Sequence, residues 1–478
     1  MSKIEINEKP LLDVGSIADQ NQLKAYVVGG YVRDYLLGKE RKDFDITIIG
    51  DPIDFATKVA DHFSTKAVIY ERFRTAMVPF NGYQFEFVGT RKEEYQKGSR
   101  KPIVKQGSFE DDIKRRDFTV NSMAASINKE NIGEITDIFN GIKDLDNKIL
   151  KTPLDPEITY SDDPLRMMRA ARFAAQLNFE IEEDSFNAIS KMSDRIKIIS
   201  QERITDEFLK LLASEHPSKG LAVLFKTGLL KYIFPEMDEL QGTEIKQEGD
   251  RKYGHKDVFW HTLKVLDNIV PNTDNVWLRF AALMHDIAKP RTKKYIPGTG
   301  WSFHGHEEVG ARMQKKIFRR MKLPLDHQPY VETLVRLHQR PMQLVDEEVT
   351  DSAIRRLAVS AGPYLEDLFT LIRADITTKN PNREKKYFNN YEKVFQKVID
   401  VQEKDKLREF QSPIRGEEIM EICEIKPSKL VGKIKEEIEE AILEGIIPNE
   451  YDDAKKYFLE NKDEWLLKYS EFKSRGQK

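Results

Sequence analysis

The chain has 478 residues, with 77 Lys or Arg against 80 Asp or Glu, a net charge of −3 and 40% hydrophobic residues. That length exceeds a single hydrophobic core and predicts three or four domains, and the mix of apolar and charged residues excludes a disordered polymer. No apolar run approaches the roughly 18–20 residues of a membrane span, the first residues have neither a secretion-signal core nor a transit composition, and the lone Cys423 excludes a disulfide framework and any multi-thiolate metal site. The expectation is a soluble, cytoplasmic protein with no membrane partner, whose metals are held by histidines and carboxylates.

The first 155 residues are the strand-rich part. Runs such as "KAYVVGG", "FDITIIG", "TAMVPF" and "QFEFVGT" are β-branched or aromatic and end in Gly or Asn turns. Within them, "VVGGYVRDYLLG" predicts strand, Gly-Gly turn, helix. Gly29 and Gly30 would let the backbone approach a ligand closely, the helix N–H groups after them would face phosphates, and Arg33 sits one turn in. Asp43 and Asp45 open the next strand and project from the same face, because side chains alternate along a strand. Two like charges that close call for a cation, and bare carboxylates without His or Cys point to Mg²⁺. Glu86, flanked by Phe85 and Phe87, is a third candidate. Three carboxylates on neighbouring strands can serve metal-assisted attack at a phosphate.

Charge is more informative locally than overall. Arg91 to Arg116 holds nine Lys or Arg against five Asp or Glu, and further basic clusters occur at "KKIFRRMK" and from Lys426 to Lys435; each reads either as a nucleic-acid contact or as a solvated helix face. In "RRDFTVNSM", Arg116, Asp117 and Asn121 offer a cation, an acceptor and a bifunctional amide within about one helical turn. Capping of a helix by Asp117 or Thr119 is compatible with that use.

From about Asp162 the pattern turns helical. In "SDDPLRMMRAARFAAQLNF", Asp163 and Arg166 are three residues apart and are expected to share a helix face. A carboxylate acceptor beside a guanidinium donor matches the Watson–Crick edges of cytosine and adenine, each an exocyclic amino group next to a ring acceptor. Guanine and uracil would leave both side chains unpaired. A Gly-, Lys- and acid-rich break, "LQGTEIKQEGDRKYG", precedes a second helical block. Seven of the nine histidines fall between His255 and His338. His261, His285, Asp286 and Asp375 make a candidate metal site, with His306 and His338 as extra ligands, and their donor types suit Mn, Ni, Fe, Co or Mg. A charged stretch, "VQEKDKLREFQSPIRGEE", sets off a final helical block.

These motifs resemble the polymerase-β type nucleotidyltransferases, and within them the class II branch of CCA-adding tRNA nucleotidyltransferases and bacterial poly(A) polymerases. "RRDFTVNSMA" is similar to that family's ribose and triphosphate motif, "SDDPLRMMRAARFAAQLNF" to its nucleotide-selecting helix, "QERITDEFLKLL" to the helix that follows, and "KPSKLVGKIKEEIEEAILEGIIPNEYDDAKKYF" to its tRNA-binding tail. "WHTLKVLD", "AALMHDIAKP", "HGHEEVGA" and "RADITTKN" resemble the HD metal-dependent phosphohydrolases. The resemblance implies an α+β chain: a polymerase-β-like head over 1–155, a helical neck and body over 156–245, an HD domain over 246–400 and a helical tRNA-binding tail over 401–478.

It also implies addition of CCA to tRNA 3′ ends from CTP and ATP, with Mg²⁺ on Asp43 and Asp45 and with Glu86 as the third catalytic carboxylate. Nucleotide contacts would come from Gly29, Gly30, Arg33, Arg116, Asp117, Asn121, Asp163, Arg166, Arg169 and Arg172. A divalent metal such as Mn, Ni or Mg is implied in the HD domain, with hydrolysis of phosphate or 2′,3′-cyclic phosphate ends. The family has Glu at the position of Asp162. Residues Lys97 to Gly107 match its flexible loop, whose presence favours full CCA addition. The alternatives are a bacterial poly(A) polymerase, which would carry a long basic C-terminal extension, and a regulatory HD nucleotidyltransferase, which would carry sensory domains. No motif speaks to oligomeric state.

Overall fold

The β-branched and aromatic runs of the N-terminal part do become strands in the computed structural model, which describes residues 2–39, 41–71, 74–94, 103–242, 246–248, 251–254, 257–345, 350–405 and 412–469. Helix α1 (Lys9–Gln20) leads into β1 (Lys24–Val28), α2 (Gly30–Leu36), β2 (Asp43–Ile49), α3 (Pro52–His62), β3 (Val68–Tyr70), β4 (Thr75–Phe80) and β5 (Tyr83–Gly89). After α4 (Phe109–Lys114) come β6 (Ala124–Ser126) and β7 (Ile135–Thr136). They form one mixed sheet in the order β3-β4-β5-β2-β1-β6-β7. Only β2 and β5, of its neighbouring pairs, run parallel.

Alternation decides which face of this sheet is core. Phe44, Ile46 and Ile48 of β2 and Phe85 and Phe87 of β5 are fully enclosed, with Phe44 stacked on Phe85 at 5.1 Å and Phe55 of α3 edge-on to Phe87 at 5.4 Å. Helix α3 starts where the chain signals it: Asp51 accepts hydrogen bonds from the N–H groups of Ile53 and Asp54, and Pro52 occupies the first turn. Asp43, Asp45 and Glu86 are left on the other face.

Helices then take over with α5 (Pro156–Asp162), α6 (Leu165–Leu177) and α7 (Gln201–Leu212). The chain folds as two compact units, Met1–Asp238 and Glu239–Lys478. The second unit contains α8 (Val258–Ile269), α9 (Val276–Met284), α10 (His306–Met321), α11 (Gln328–Leu337), α12 (Asp351–Ala361), α13 (Leu365–Ala374), α14 (Pro381–Asp405), α15 (Gly416–Ile422), α16 (Lys429–Leu443) and α17 (Tyr451–Lys468). The last three close over their own core, with Ile419, Leu430, Ile434, Ile438, Phe458 and Trp465 buried together.

Three details differ from the sequence reading. The stretch read as a break pairs Lys246–Glu248 with Arg251–Tyr253 as an antiparallel ribbon, and a second ribbon joins Lys294–Ile296 to Gly300–Ser302 inside the helical part. Its turn uses Gly298 at φ +72°, a conformation glycine adopts without steric cost. The expected boundary between 400 and 401 falls inside α14. Most of the loop matched to Lys97–Gly107 lies outside the described residues. Among those described, no helix is long and apolar enough to cross a membrane.

Candidate functional sites

The head site follows from strand register. Asp45 of β2 stands directly beside Glu86 of the parallel strand β5, and Asp43 lies two residues earlier on the same face. Gly29 approaches them from the turn before α2 at φ +68°: a Cβ there would lie 3.1 Å from Arg116 Nη1 and 3.7 Å from Asp45 Oδ2. A side chain would therefore press on the guanidinium and only touch the carboxylate. Desolvation, reinforced by Asp43, raises the pKa of Asp45 against the pull of Arg116, Arg41 and Arg169. The donors are all carboxylate oxygens, a set that fits a hard cation such as Mg²⁺. Arg41 was not foreseen, although it precedes Asp43 by two residues; it pairs with Asp34 and lies against Gly30.

A buried polar network runs beneath this face. Arg33 donates to Asp34 at 2.7 and 3.0 Å and to Asn121 Oδ1 at 2.6 Å. Asn121 donates to Asp117 Oδ1 at 3.0 Å, and Asp117 Oδ2 meets Arg169 at 2.6 and 2.7 Å. Arg169 reaches Glu207 of α7 at 3.7 Å, and Arg172 donates to the same carboxylate at 2.6 Å. The guanidinium carbons of Arg33, Arg169 and Arg172 lie 5.1, 5.2 and 4.1 Å from the ring centre of Phe173. Asp117 has lost much of its hydration, yet Arg169 and the Asn121 amide more than offset this and hold its pKa down at about 2.

Arg33 is 1% exposed with its guanidinium spent on Asp34 and Asn121, so in this structure it positions Asn121 rather than offering a free phosphate contact. Arg172 is likewise turned inward, onto Glu207 and Gln176.

Arg116 connects the two halves of the site. It lies against Gly29, acts electrostatically on Asp45, pairs with buried Asp112 at 3.2 Å, and lines a cleft of about 390 Å³ shared with Asp117, Asp163, Arg166, Arg169 and Arg203. Despite its burial, Asp112 is kept below the usual carboxylate range by Arg115 and Arg116.

The helix face expected for Asp163 and Arg166 needs correction. Asp163 lies before α6 in extended backbone, φ −136° and ψ 101°, because Pro164 disfavours the helical conformation at the residue preceding it. Its Oδ1 accepts from Leu165 N at 3.1 Å and its Oδ2 meets Arg203 at 3.1 Å. Arg166 donates to the carbonyls of Thr159 and Arg115 at 3.2 and 2.5 Å. Both side chains nonetheless line one cleft, and each keeps hydrogen-bonding capacity beyond these contacts. Arg203 was missed; its signal is the i, i+3, i+4 spacing to Asp206 and Glu207, which line the same cleft.

The second unit brings together all six of its expected metal ligands. His261 comes from α8, His285 ends α9, Asp286 follows it, His306 starts α10, His338 ends α11 and Asp375 ends α13. The two Asp286 oxygens face different partners. Oδ2 lies 3.2 Å from His285 Nε2 and 3.5 Å from His261 Nε2, whereas Oδ1 lies 3.2 Å from His306 Nε2 and 3.9 Å from His338 Nε2. Asp375 Oδ1 is 3.0 Å from His261 Nε2 and 3.6 Å from His285 Nε2. Two donor groups with metal-ligand spacing result, His261–His285–Asp286 and Asp286–His306–His338.

Outer contacts set the histidine rings. Nδ1 of His285, His306 and His338 faces the main-chain carbonyls of Ala282, Phe303 and Val335 at 2.7–2.8 Å, and Nδ1 of His261 faces Thr377 Oγ1 at 3.0 Å. A carbonyl can only accept, so at those three rings Nδ1 carries a proton and Nε2 is the nitrogen turned toward the carboxylates, the one a metal ion would take. Buried His285 Nε2 has no well-aligned hydrogen-bond partner. These residues fit a divalent transition ion. Lys289, missed in the sequence although it follows Asp286 by three, pairs with Asp286 Oδ2 at 2.6 Å.

Family models match residues 25–151 as a poly A polymerase head domain, 178–241 as a probable RNA and SrmB-binding site of polymerase A, and 258–359 as an HD domain. The chain is 30% identical over 430 residues to the A-adding tRNA nucleotidyltransferase of Deinococcus radiodurans, a match that covers 87% of this chain and 91% of that protein. The chain belongs to the tRNA nucleotidyltransferase family. A second family member, the multifunctional CCA protein of Neisseria meningitidis, is 31% identical over 320 residues, 66% of this chain and 72% of that one. The Bacillus stearothermophilus CCA-adding enzyme, solved in complex with CTP, shares the fold with a TM-score of 0.64 at 22% identity, over 97% of this chain and 100% of that chain. The nucleotidyltransferase head and the HD domain both imply dependence on divalent metals.

Proposed function

We propose that this family member adds C, C and A in turn to tRNA 3′ ends from CTP and ATP without a nucleic-acid template. The observation that carries the reading is the placement of Asp45 beside Glu86, with Asp43 on the same face and Arg116 leading from that face into the cleft of Asp163 and Arg166. Asp43 and Asp45, with Glu86 beside them, would hold Mg²⁺, which would supply charge stabilisation at the α-phosphate. Gly29 and Gly30 let the guanidinium groups of Arg116 and Arg41 lie close to the backbone, Arg116 neutralises the triphosphate, and Asn121, oriented by Arg33 and Asp117, reads the ribose. Asp163 accepts from, and Arg166 donates to, the edge of cytosine or adenine. The tRNA 3′-oxygen bonds to the α-phosphorus, its proton leaves to solvent, and the bond to pyrophosphate breaks. Catalysis of this kind is positioning and electrostatics, with no covalent enzyme intermediate.

The head, neck and body, HD domain and tail divide the work as four parts, with the tail holding tRNA. The HD domain hydrolyses phosphate or 2′,3′-cyclic phosphate ends, and Asp286 bridges its two donor groups. A divalent ion such as Mn, Ni or Mg held there supplies Lewis acidity toward a phosphoester.

A second reading, addition of the terminal A alone, is favoured by one observation: the relative that aligns over 91% of its own length is named A-adding. Purified protein incubated with tRNA ending before CCA, and with tRNA ending in CC, separates the two. CTP and ATP together should extend the first substrate by CCA. Extension of the second substrate only would establish the A-adding reading instead.

A further inference from the structure

A cavity of about 440 Å³ opens beside the HD cluster, and His261 and Asp375 form part of its wall. The facing wall is helix α14, which contributes Arg383, Tyr387 and Tyr391, four residues apart and therefore on one stripe of the helix. Lys289 lines it as well. The cavity thus sets two cations and two phenol rings beside the metal-ligating groups, a combination that suits a phosphate carrying a nucleoside. Tyr387 remains 41% exposed, and its neighbour Phe388 46%.

The next stripe of the same helix differs in chemistry. Lys385, Lys386, Asn389, Asn390 and Lys393 border a second groove of about 740 Å³. Residues 381–397 hold five cationic side chains against two acidic ones, and one acid, Glu392, is paired with Arg373 at 2.9 Å. Lys385 to Lys393 spans about 12 Å of helix. Cations interleaved with amides beside exposed aromatic rings are the materials of a single-strand track.

We propose that α14 is the recognition element of the HD site and that it selects the phosphorylated end of an RNA strand over a free nucleotide. Arg383, Tyr387 and Tyr391 take the terminal nucleotide into the cavity, and Lys385, Lys386 and Lys393 hold the phosphates of the strand leading to it. The proposal rests on the phosphohydrolase reading of the HD domain. With a 2′,3′-cyclic end, a water oxygen bonds to phosphorus, one ribose P–O bond breaks, and the water proton goes to the ribose oxygen freed.

The test compares a short oligoribonucleotide ending in a 2′,3′-cyclic phosphate with adenosine 2′,3′-cyclic phosphate, using the full chain loaded with Mn²⁺ or Ni²⁺. The wild type should turn over the oligonucleotide with the higher kcat/KM, and that rate should fall more steeply with salt than the mononucleotide rate. Three phosphate contacts correspond to a slope of about −2 in log kcat/KM against log salt. K385E/K386E/K393E should lower the oligonucleotide-to-mononucleotide ratio about tenfold or more, whereas R383A and Y387A should lower both rates. An unchanged ratio in the triple variant overturns the proposal, and so does a loss confined to nucleotide addition. Wild-type hydrolysis of the mononucleotide alone overturns the proposal but leaves the phosphohydrolase reading standing. Hydrolysis of neither substrate with any metal overturns both.

Discussion

The head lays its three carboxylates on the open face of a sheet, whereas the second unit encloses its histidines and Asp286 and fixes each ring through an outer hydrogen bond. The difference follows from what each site must bind. Oxygen donors on an open face suit an ion that arrives with a triphosphate and leaves with pyrophosphate, so the metal is completed by the substrate. Buried imidazoles held by main-chain carbonyls suit an ion that stays, because the protein supplies most of its ligands in advance and leaves only the positions for water and phosphate open.

The largest test of this contrast removes one site at a time. Asp45→Ala should lower single-turnover nucleotide addition about a thousandfold while sparing phosphoester hydrolysis. H285A/D286A should do the reverse, with metal content by elemental analysis dropping in step. Loss of both activities in either variant would show that the sites are not independent.

Base selection sharpens the comparison within the head. Arg166→Ala should reduce discrimination against UTP and GTP by about 1–3 kcal/mol, measured as the ratio of kcat/KM values. A variant that keeps full preference for CTP and ATP would remove Arg166 from that role.

The network beneath the head site makes a prediction about acid. The folded-state pKa of Asp117, about 2, lies below the unfolded value near 4, so its stabilising contribution is complete above that unfolded value and is lost as pH falls toward 2. Asp117→Asn should therefore cost roughly 2 kcal/mol at neutral pH, and the gap from wild type should close over about pH 4 to 2. Denaturant titrations across that window check it; a gap independent of pH would assign the effect to packing.

Metal binding should also be read thermally. Mn²⁺ or Ni²⁺ at a hundredfold excess over its Kd should stabilise the second unit by about 2.7 kcal/mol, and thus raise its unfolding midpoint by several degrees. Mg²⁺ without nucleotide should leave the first unit unmoved. A comparable rise there would show that the head holds a resident ion after all.

Sequence made the head legible because strand alternation writes itself into residue order. Phe44, Ile46 and Ile48 go inward, so Asp43 and Asp45 must go outward, and Phe85 and Phe87 fix Glu86 in the same way. The six residues that gather in the second unit were also legible, since the stretches that carry them resemble those of the HD phosphohydrolases. What stayed hidden were partners distant in sequence. Arg33 looks like a surface cation until Asn121, 88 residues on, takes its guanidinium, and Arg203 has no evident role until Asp163 is placed 40 residues before it. The position of Asp163 outside its helix was legible in principle, since Pro164 announces it.

His285, His338 and Asp375 share one further property, because each terminates a helix. The last carbonyls of α9, α11 and α13 therefore point their partial negative charge toward the ligand cluster, and the helix dipoles add to the charge of the carboxylates. Lys289 and Arg383 offset that field only in part, so a phosphate is held best once a cation has entered. Binding at this site should follow a preferred order, ion before substrate, and lowering free metal should reduce the fraction of competent enzyme rather than the affinity of the loaded form for phosphoester.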